Sequence, residues 1–277
     1  MRVRFWGVRG TMPVPGPGTV RYGGNTPCID IRTAGQQLII IDAGTGIRKL
    51  GHALRQSEAR SIKATLLLSH THWDHIQGLP FFDPLLGRRN KFQIVGIKRD
   101  NLSLEEIVAR QFLAPYLPFA YRSLEAELEV KELWPEETFY LEDKTVITTA
   151  AMKHPGGCLG FRIDDGVSAL AYCSDTAQLG DNLLEEVVEL ARGADLLIHD
   201  AHFRDTGMAK ALESWGHSSW QQAALVAEAA EVGMLALFHY APDLTDDDID
   251  HISVEARECF SRTIPAREGL ILDLPAV

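Results

Sequence analysis

Four metal-capable side chains fall within six residues in His70-Thr71-His72-Trp73-Asp74-His75. Imidazole nitrogens and carboxylate oxygens packed this densely are the ligands a two-metal hydrolase needs. A short loop can turn His70 and His72 towards one divalent ion and Asp74 and His75 towards a second, with the ions roughly 3.5–4 Å apart and a hydroxide between them. Such a pair needs further ligands, including a carboxylate able to touch both ions. The chain offers His154 in AMKHPGG, Asp175 in YCSDT and His239 in LALFHYAP.

The elements that must position these residues can be read from apolar periodicity. Ala64–Ser69 is an apolar run of strand length that ends on His70. Val3–Trp6, Cys28–Arg32, Leu38–Ile41 and Phe92–Ile97 read as further strands, and Ile47–Gln56 and Leu104–Phe112 as helices. Leu128–Leu133, Thr138–Leu141 and Lys144–Ala150 read as strands of a meander leading to His154, and Gly160–Ile163 pairs with Ala169–Ser174. The last third alternates helix and strand: Asn182–Arg192, Leu196–His199, Ser218–Glu231, Met234–Phe238 and Asp246–Cys259.

His70, His154, Asp175, Asp200 and His239 each follow a predicted strand at its C-terminal end. Loops at one edge of a sheet sandwich bring such residues together although they lie far apart in sequence. Strands early and βα units late, with a similar layout in the two halves, predict an α/β fold, a four-layer αββα sandwich. The expected organisation is one domain over 1–277 with an insertion at about 81–135. That insertion, Phe81–Pro135, holds the aromatic-rich LAPYLPFAYR, which can cap the site, line a base-stacking pocket, form a dimer surface or pack blandly.

The order HxHxDH, His, Asp, His resembles the ligand set of the metallo-β-lactamase superfamily, along nearly the whole chain. The resemblance implies that His70, His72 and His154 bind one metal and Asp74, His75 and His239 a second, with Asp175 bridging. Within the superfamily, true β-lactamases typically lack the His after the Asp and often carry a Cys near the position of Asp175. The flavodiiron branch has Glu in place of His72. Both branches fit this chain poorly.

A second set of residues resembles the phosphodiesterase branch, of RNase Z-like and phosphoribosyl cyclic phosphodiesterase-like enzymes. Asp200 in LIHDAHF and His217 in WGHSSWQQAA look like its proton-transfer pair, although Asp stands where Glu is common and His202 where Thr is common. An alkoxide leaving group needs a proton, and a His oriented by a carboxylate can give it. Asp74 is expected to orient the nucleophile as well. The glycine-rich opening, GVRGTMPVPGPGTVRYGGNTPC, resembles the first loop of the same branch; backbone N–H groups there can cradle phosphate, and Arg9, Arg21 and Asn25 are candidate substrate contacts. RNase Z enzymes usually carry a long arm between the positions equivalent to His154 and Asp175. Only twenty residues separate them here.

Composition sets outer limits. The 277 residues carry a formal charge of −11, which argues against a large nucleic-acid interface. No stretch approaches the ~20 apolar residues that cross a bilayer, and MRVRFWGVRGTMPVPGPG lacks the apolar core of a signal peptide, so a cytoplasmic protein without membrane contact is expected. Cys28, Cys158, Cys173 and Cys259 lack CxxC spacing and read as small buried apolar residues. His52 and His251 read as surface residues, His199 as a partner that orients a ligand, and Asp246-Asp247-Asp248 as the acidic first turn of a helix. The function these residues support is hydrolysis of a small phosphodiester, such as a cyclic nucleotide or cyclic sugar phosphate, by two divalent ions. Zinc is favoured, and manganese or iron are compatible with the same ligands. A homodimer is a family-level expectation. The rival readings are a lactone, thioester or β-lactam hydrolase of the same fold, which has no use for an Asp200–His217 pair, and a non-catalytic metal-binding nucleotide sensor.

Overall fold

In a computed structural model that describes residues 1–57, 60–178 and 183–275, the chain forms two mixed seven-stranded sheets packed face to face. The strands are β1 (Arg2–Gly7), β2 (Cys28–Arg32), β3 (Leu38–Ile41), β4 (Lys63–Leu68), β5 (Lys91–Ile97), β6 (Glu127–Leu133), β7 (Thr138–Tyr140), β8 (Val146–Met152), β9 (Cys158–Asp164), β10 (Ala169–Cys173), β11 (Leu196–Asp200), β12 (Leu235–Phe238), β13 (Thr263–Pro265) and β14 (Ile271–Asp273). The helices are α1 (Ile47–Gln56), α2 (Trp73–Ile76), α3 (Leu104–Arg110), α4 (Glu185–Ala191), α5 (Thr206–Ala211), α6 (Trp220–Ala229) and α7 (Asp246–Cys259). The first sheet has the order β14-β1-β2-β3-β4-β5-β6 and the second β13-β12-β11-β10-β9-β8-β7.

Period-two alternation assigns each face. In β3, Ile39 and Ile41 join the core between the sheets, whereas Leu38 and Ile40 meet α1 and its neighbours on the outer face. Strands β10 and β11 are buried at every position, because α4 and α6 cover the face turned away from the first sheet. This is the α/β sandwich the sequence predicts, with helices flanking two sheets.

Two details differ from the sequence reading. The segment over Leu128–Ala150 is not one meander: β6 runs parallel to β5 at the edge of the first sheet, and the chain then crosses to open the second sheet with β7 and β8. The helix expected from Asn182 begins at Glu185, and Asn182 itself lies outside the described residues. The 81–135 segment supplies β5, α3 and β6, and its Phe92, Leu104, Val108 and Phe112 are buried.

Among the described residues no helix is long and apolar enough to cross a membrane. Cys28, Cys158 and Cys173 are buried, whereas Cys259, at the end of α7, is exposed. His52 and His251 stand at the surface.

Candidate metal centre

Parallel strands β3 and β4 of the first sheet, and β10, β11 and β12 of the second, end at one edge of the sandwich. His70 follows β4, and α2 turns at once so that the His75 N–H meets the His72 carbonyl at 3.0 Å. Asp175 and His239 leave their strands with φ of 57° and 59°. A left-handed backbone in a residue with a Cβ is strained, and such strain collects at functional sites.

The two sheets thereby bring seven predicted ligands together. Donor atoms of His70, His72 and His154 lie within 4.8 Å of one another, as do those of Asp74, His75 and His239, and those of His70, His75 and Asp175. His154 Nε2 is 2.9 Å from His72 Nδ1. His75 Nε2 is 3.1 Å from His239 Nε2 and 3.2 Å from Asp175 Oδ2. Asp175 Oδ1 lies 3.9 Å from His70 Nε2, 3.8 Å from His154 Nε2 and 3.4 Å from His239 Nε2, between the two groups of imidazoles.

Burial and mutual contact set the protonation of this cluster. Burial, reinforced by its histidine neighbours, holds His70 neutral well below the ordinary imidazole range. Burial also lowers His72 and His154. Burial pushes against ionisation of Asp175, but the imidazoles of His239, His75 and His70 prevail and hold its carboxyl well below the usual range. Asp74 is lowered in the same way, with His75 and His239 overcoming burial. His75 keeps a proton only because Asp175, Asp74 and Asp42 converge on it against the cost of burial. Divalent cations fit here: they satisfy the buried carboxylates, replace the His75 proton, and find His70 Nε2 buried without a protein partner among the described residues.

The surroundings fix each ring. Asp42 Oδ2 meets His75 Nδ1 at 2.8 Å and accepts from Tyr172 Oη at 2.7 Å, and Asp42 Oδ1 accepts the Ser69 N–H at 2.8 Å. The His154 Nδ1–H donates to the Gly216 carbonyl at 3.0 Å. Gly216 has φ of 82°, and a Cβ there would strike Pro155 at 2.6 Å, so glycine is required for this approach. In the first loop, the Thr11 N–H donates to Asp74 Oδ2 at 2.7 Å. Gly10 beside it has room for no Cβ, which would lie 2.5 Å from His239 Nδ1. The loop therefore seats its backbone on the cluster.

Asp200 and His217 meet beside this cluster, with His217 Nδ1 and Asp200 Oδ2 2.8 Å apart. Burial opposes the His217 proton, but Asp200, Asp175 and Asp74 together raise its pKa above the ordinary value. Ser218 Oγ donates to the Thr176 carbonyl at 2.5 Å, tying the His217 segment to the Asp175 segment. Ser219 caps α6 through a capping box with Gln222. His202 stacks on His217 with ring centres 4.2 Å apart, and its Nδ1–H donates to the His239 carbonyl at 3.1 Å. Burial and the neighbouring imidazoles push His202 down to about 3. His199 does not orient a ligand's side chain: its Nδ1–H donates to the Asp200 carbonyl at 2.8 Å.

The three candidate substrate contacts are each engaged by groups of the protein. Arg9 is 0 % exposed. Its Nε donates to the Gly23 carbonyl at 3.0 Å and its guanidinium reaches the Leu244 carbonyl and, at 3.2 Å, Asp246, so no substrate can reach it. Arg21 pairs with Asp247 and Asp250 at the start of α7, and Asn25 Nδ2 donates to Glu268 at 3.0 Å. The sequence reading assigned them from the resemblance of their glycine-rich loop to the first loop of the phosphodiesterase branch. It passed over Asp42, which follows β3 in LIIIDAG at the same strand-end position as the ligands, with φ of 59°.

Taken together, fold and cluster define a metallo-β-lactamase-fold hydrolase with a His/Asp site for divalent metal ions. A family model described as the beta-lactamase superfamily domain matches residues 37–240. The chain belongs to that superfamily. Two similar proteins are each named Ribonuclease Z. The one from Bacteroides thetaiotaomicron is 26% identical over 92% of this chain and 91% of its own. That from Thermoplasma acidophilum is 24% identical over 97% of this chain and 94% of its own. Among solved structures, the metallo-beta-lactamase fold protein YhfI from Bacillus subtilis superposes with a TM-score of 0.72 at 20% identity, covering 98% of each chain. A diphosphatase from the PhnP family gives 0.71 at 19% identity, over 99% of this chain and 97% of its own. Human tRNase Z, short form, gives 0.70 at 21% identity, over 99% and 100%.

These relatives overturn one expectation. Proteins named Ribonuclease Z match along nearly their full length, so the charge of −11 is no ground for excluding a large nucleic-acid interface or for making a small phosphodiester the sole partner. Net charge sums the whole surface, whereas phosphate is attracted locally, and bound cations are not in that sum.

Proposed function

We propose that the chain hydrolyses phosphodiesters, with His70, His72 and His154 holding one divalent ion, Asp74, His75 and His239 a second, and Asp175 shared between them. When bound, the two ions supply Lewis-acid charge and a water-derived nucleophile at neutral pH. Nitrogen and carboxylate donors without thiolate suit zinc, and accept manganese or iron.

The chain's own residues do the rest. The Thr11 N–H fixes Asp74 Oδ2, which leaves that carboxylate one orientation towards the reacting groups. The single observation that carries the reading is the Asp200–His217 pair. Asp200 engages His217 Nδ1 at 2.8 Å, so Nε2 is the nitrogen left to protonate a leaving oxygen in the cleft that His217 lines. Asp200 keeps its orientation because Oδ1 accepts the His202 N–H at 2.9 Å. A hydrolase of lactones, thioesters or β-lactams has less need of such an acid, and a sensor has none.

The test is hydrolysis of bis-(p-nitrophenyl) phosphate with zinc or manganese, by the protein and its Asp74→Ala variant, beside lactone and thioester substrates. Diester cleavage that the variant loses supports the proposal; turnover confined to the carbonyl substrates overturns it. A 3′-extended transfer RNA and a cyclic nucleotide, run in the same series, separate the polymeric substrate from the small cyclic one.

A further inference from the structure

His202 lies on His217 with ring centres 4.2 Å apart and planes 18° from parallel. Its own ring is fixed from several directions. The His202 N–H donates to Asp200 Oδ1 at 2.9 Å, and its Nδ1–H donates to the His239 carbonyl at 3.1 Å. The Phe203 ring stands edge-on to it at 5.1 Å and 89°. The first loop closes against it as well, since a Cβ on Gly10 would lie 3.0 Å from His202 Nδ1. His202 is buried, and its Nδ1 is committed to the backbone. The part of it that reaches the proton-transfer pair is the face of its ring.

His217 is held by less. Its imidazole makes one hydrogen bond among the described residues, to Asp200 at 2.8 Å. The outer torsion of a histidine side chain has a broad energy minimum, and one hydrogen bond tolerates a range of angles. Asp200 therefore restrains Nδ1 but leaves the tilt of the ring unset, and Nε2 moves with that tilt. A rigid flat ring lying parallel against it removes this freedom. Any rocking would open contacts at one edge of the stack and compress them at the other.

We infer that His202 is a positioning residue, whose ring sets the plane of His217 so that Nε2 is aimed at the leaving oxygen of the diester. The inference rests on the phosphodiesterase reading, in which His217 is the acid. In that step the bond from phosphorus to the leaving oxygen breaks, its electron pair stays on the oxygen, and the oxygen takes the Nε2 proton. A misplacement of about 1 Å can cost about a hundredfold in rate. The aim of the donor ring thus counts for a basic alkoxide, which needs the proton, and little for p-nitrophenolate, which leaves without it. His202 in this way widens the range of diesters the chain can cleave towards poor leaving groups.

Two substitutions separate the ring from its hydrogen bond. His202→Asn keeps an N–H donor for the His239 carbonyl and removes the ring, whereas His202→Phe keeps the ring and removes the donor. Nuclear magnetic resonance of protein labelled with ¹⁵N-histidine follows the His217 Nδ1 proton, identified by its loss in His217→Gln. Its exchange with solvent should quicken about two- to tenfold in His202→Asn, the range that a stacked ring pair contributes, and stay near the unmodified rate in His202→Phe. The ratio of kcat for an alkyl diester to kcat for a p-nitrophenyl diester should fall about ten- to a hundredfold in His202→Asn. In His202→Phe it should recover, with KM little altered in either. A His202→Asn protein that keeps both the slow exchange and the ratio overturns the inference. So does a His202→Phe protein that loses them as fully as His202→Asn, since the bond to His239 would then be the active element. Should neither variant fold, the unmodified protein decides: ring protons of His202 and His217 should cross-relax, and silence between them overturns the stack. Failure of the parent reading is seen separately, as absence of diester hydrolysis by the unmodified protein, and leaves the exchange measurement to decide the positioning.

Discussion

His217 reaches Asp200 at 2.8 Å and Asp175 at 3.8 Å through the same Nδ1 atom, so the proposed acid and the shared ligand occupy one electrostatic unit. A general acid matters in proportion to the basicity of the leaving oxygen. His217→Ala should therefore cut cleavage of an alkyl or ribose diester by about 10²–10⁴-fold, and of a p-nitrophenyl diester much less. Asp200→Asn should lower the pH at which alkyl-diester cleavage declines, because Asp200 raises the His217 pKa and the acid must hold its proton. Rates for both leaving groups across pH check this; equal losses for the two groups sink the acid role.

Metal should also hold the fold together at this edge. Without cations, the buried carboxylates of Asp74 and Asp175 are balanced chiefly by the His75 proton that they themselves help to hold. A ligand present at a thousandfold over its dissociation constant stabilises by about 4 kcal/mol, which for a chain of this size is a shift of roughly 8–16 °C in Tm. Thermal unfolding before and after chelation should show a drop of that order, restored by zinc or manganese. In Asp175→Ala the difference should shrink; a chelator-insensitive Tm would place the metal elsewhere or nowhere.

Arg9 and Arg21 separate packing from binding. Arg9 is buried against Asp246 and two carbonyls, so Arg9→Ala leaves a buried carboxylate unpaired and should cost about 3–5 kcal/mol. Arg21 pairs with Asp247 and Asp250 in solvent, and Arg21→Ala should cost no more than about 1 kcal/mol. Urea unfolding of the two variants gives the comparison. A raised KM in either, with stability unchanged, would restore the substrate-binding role.

These contrasts show how far the sequence could be read. Strand ends were legible because apolar runs stop abruptly on polar residues, as ATLLLS stops on His70 and LALF on His239. The sheet change between β6 and β7 was not legible, since a strand that leaves for another sheet has the same local pattern as one in a meander. Strands β13 and β14 have three residues each, too few for a period to show. Arg9 looked like a phosphate ligand because a glycine-rich loop carries no sign of what packs against it. Its partner Asp246 lies 237 residues away.

The far end of the sandwich gives a prediction in pH. Asp165 accepts backbone N–H groups from Ala34 at 2.8 Å, Val167 at 3.1 Å and Ser168 at 2.9 Å, joining the β2–β3 turn to the β9–β10 turn. Burial acts to raise its pKa, but those bonds outweigh it and lower the pKa below the ordinary carboxylate value. A carboxyl lowered on folding contributes stability above its unfolded pKa, near 3.9, and loses it as pH falls through the folded value. Asp165→Ala should cost about 1–3 kcal/mol near neutrality. The gap to the unmodified protein should close on acidification below about pH 4. Denaturant titrations at several pH values measure it, and a gap that widens in acid contradicts the assignment.

Asp42 is the residue whose removal should expose the cost of orienting a ligand. Its carboxylate meets His75 Nδ1 and accepts from Tyr172 Oη and the Ser69 N–H, so it fixes which His75 nitrogen faces the cluster while closing two otherwise orphaned donors. Partners of this kind raise ligand basicity, and their loss typically lowers metal affinity about 10–100-fold. Asp42→Ala should show that loss, together with at least about 2 kcal/mol of destabilisation from the stranded Tyr172 and Ser69 groups. Asp42→Asn separates the two effects. It can still accept from one of those donors but gives His75 no negative charge, so metal affinity should fall nearly as far while stability falls less. Competition with a chromogenic chelator reads the affinity, and urea unfolding of the metal-free proteins reads the stability. An Asp42→Asn protein with undiminished affinity would mean that His75 is held by packing alone.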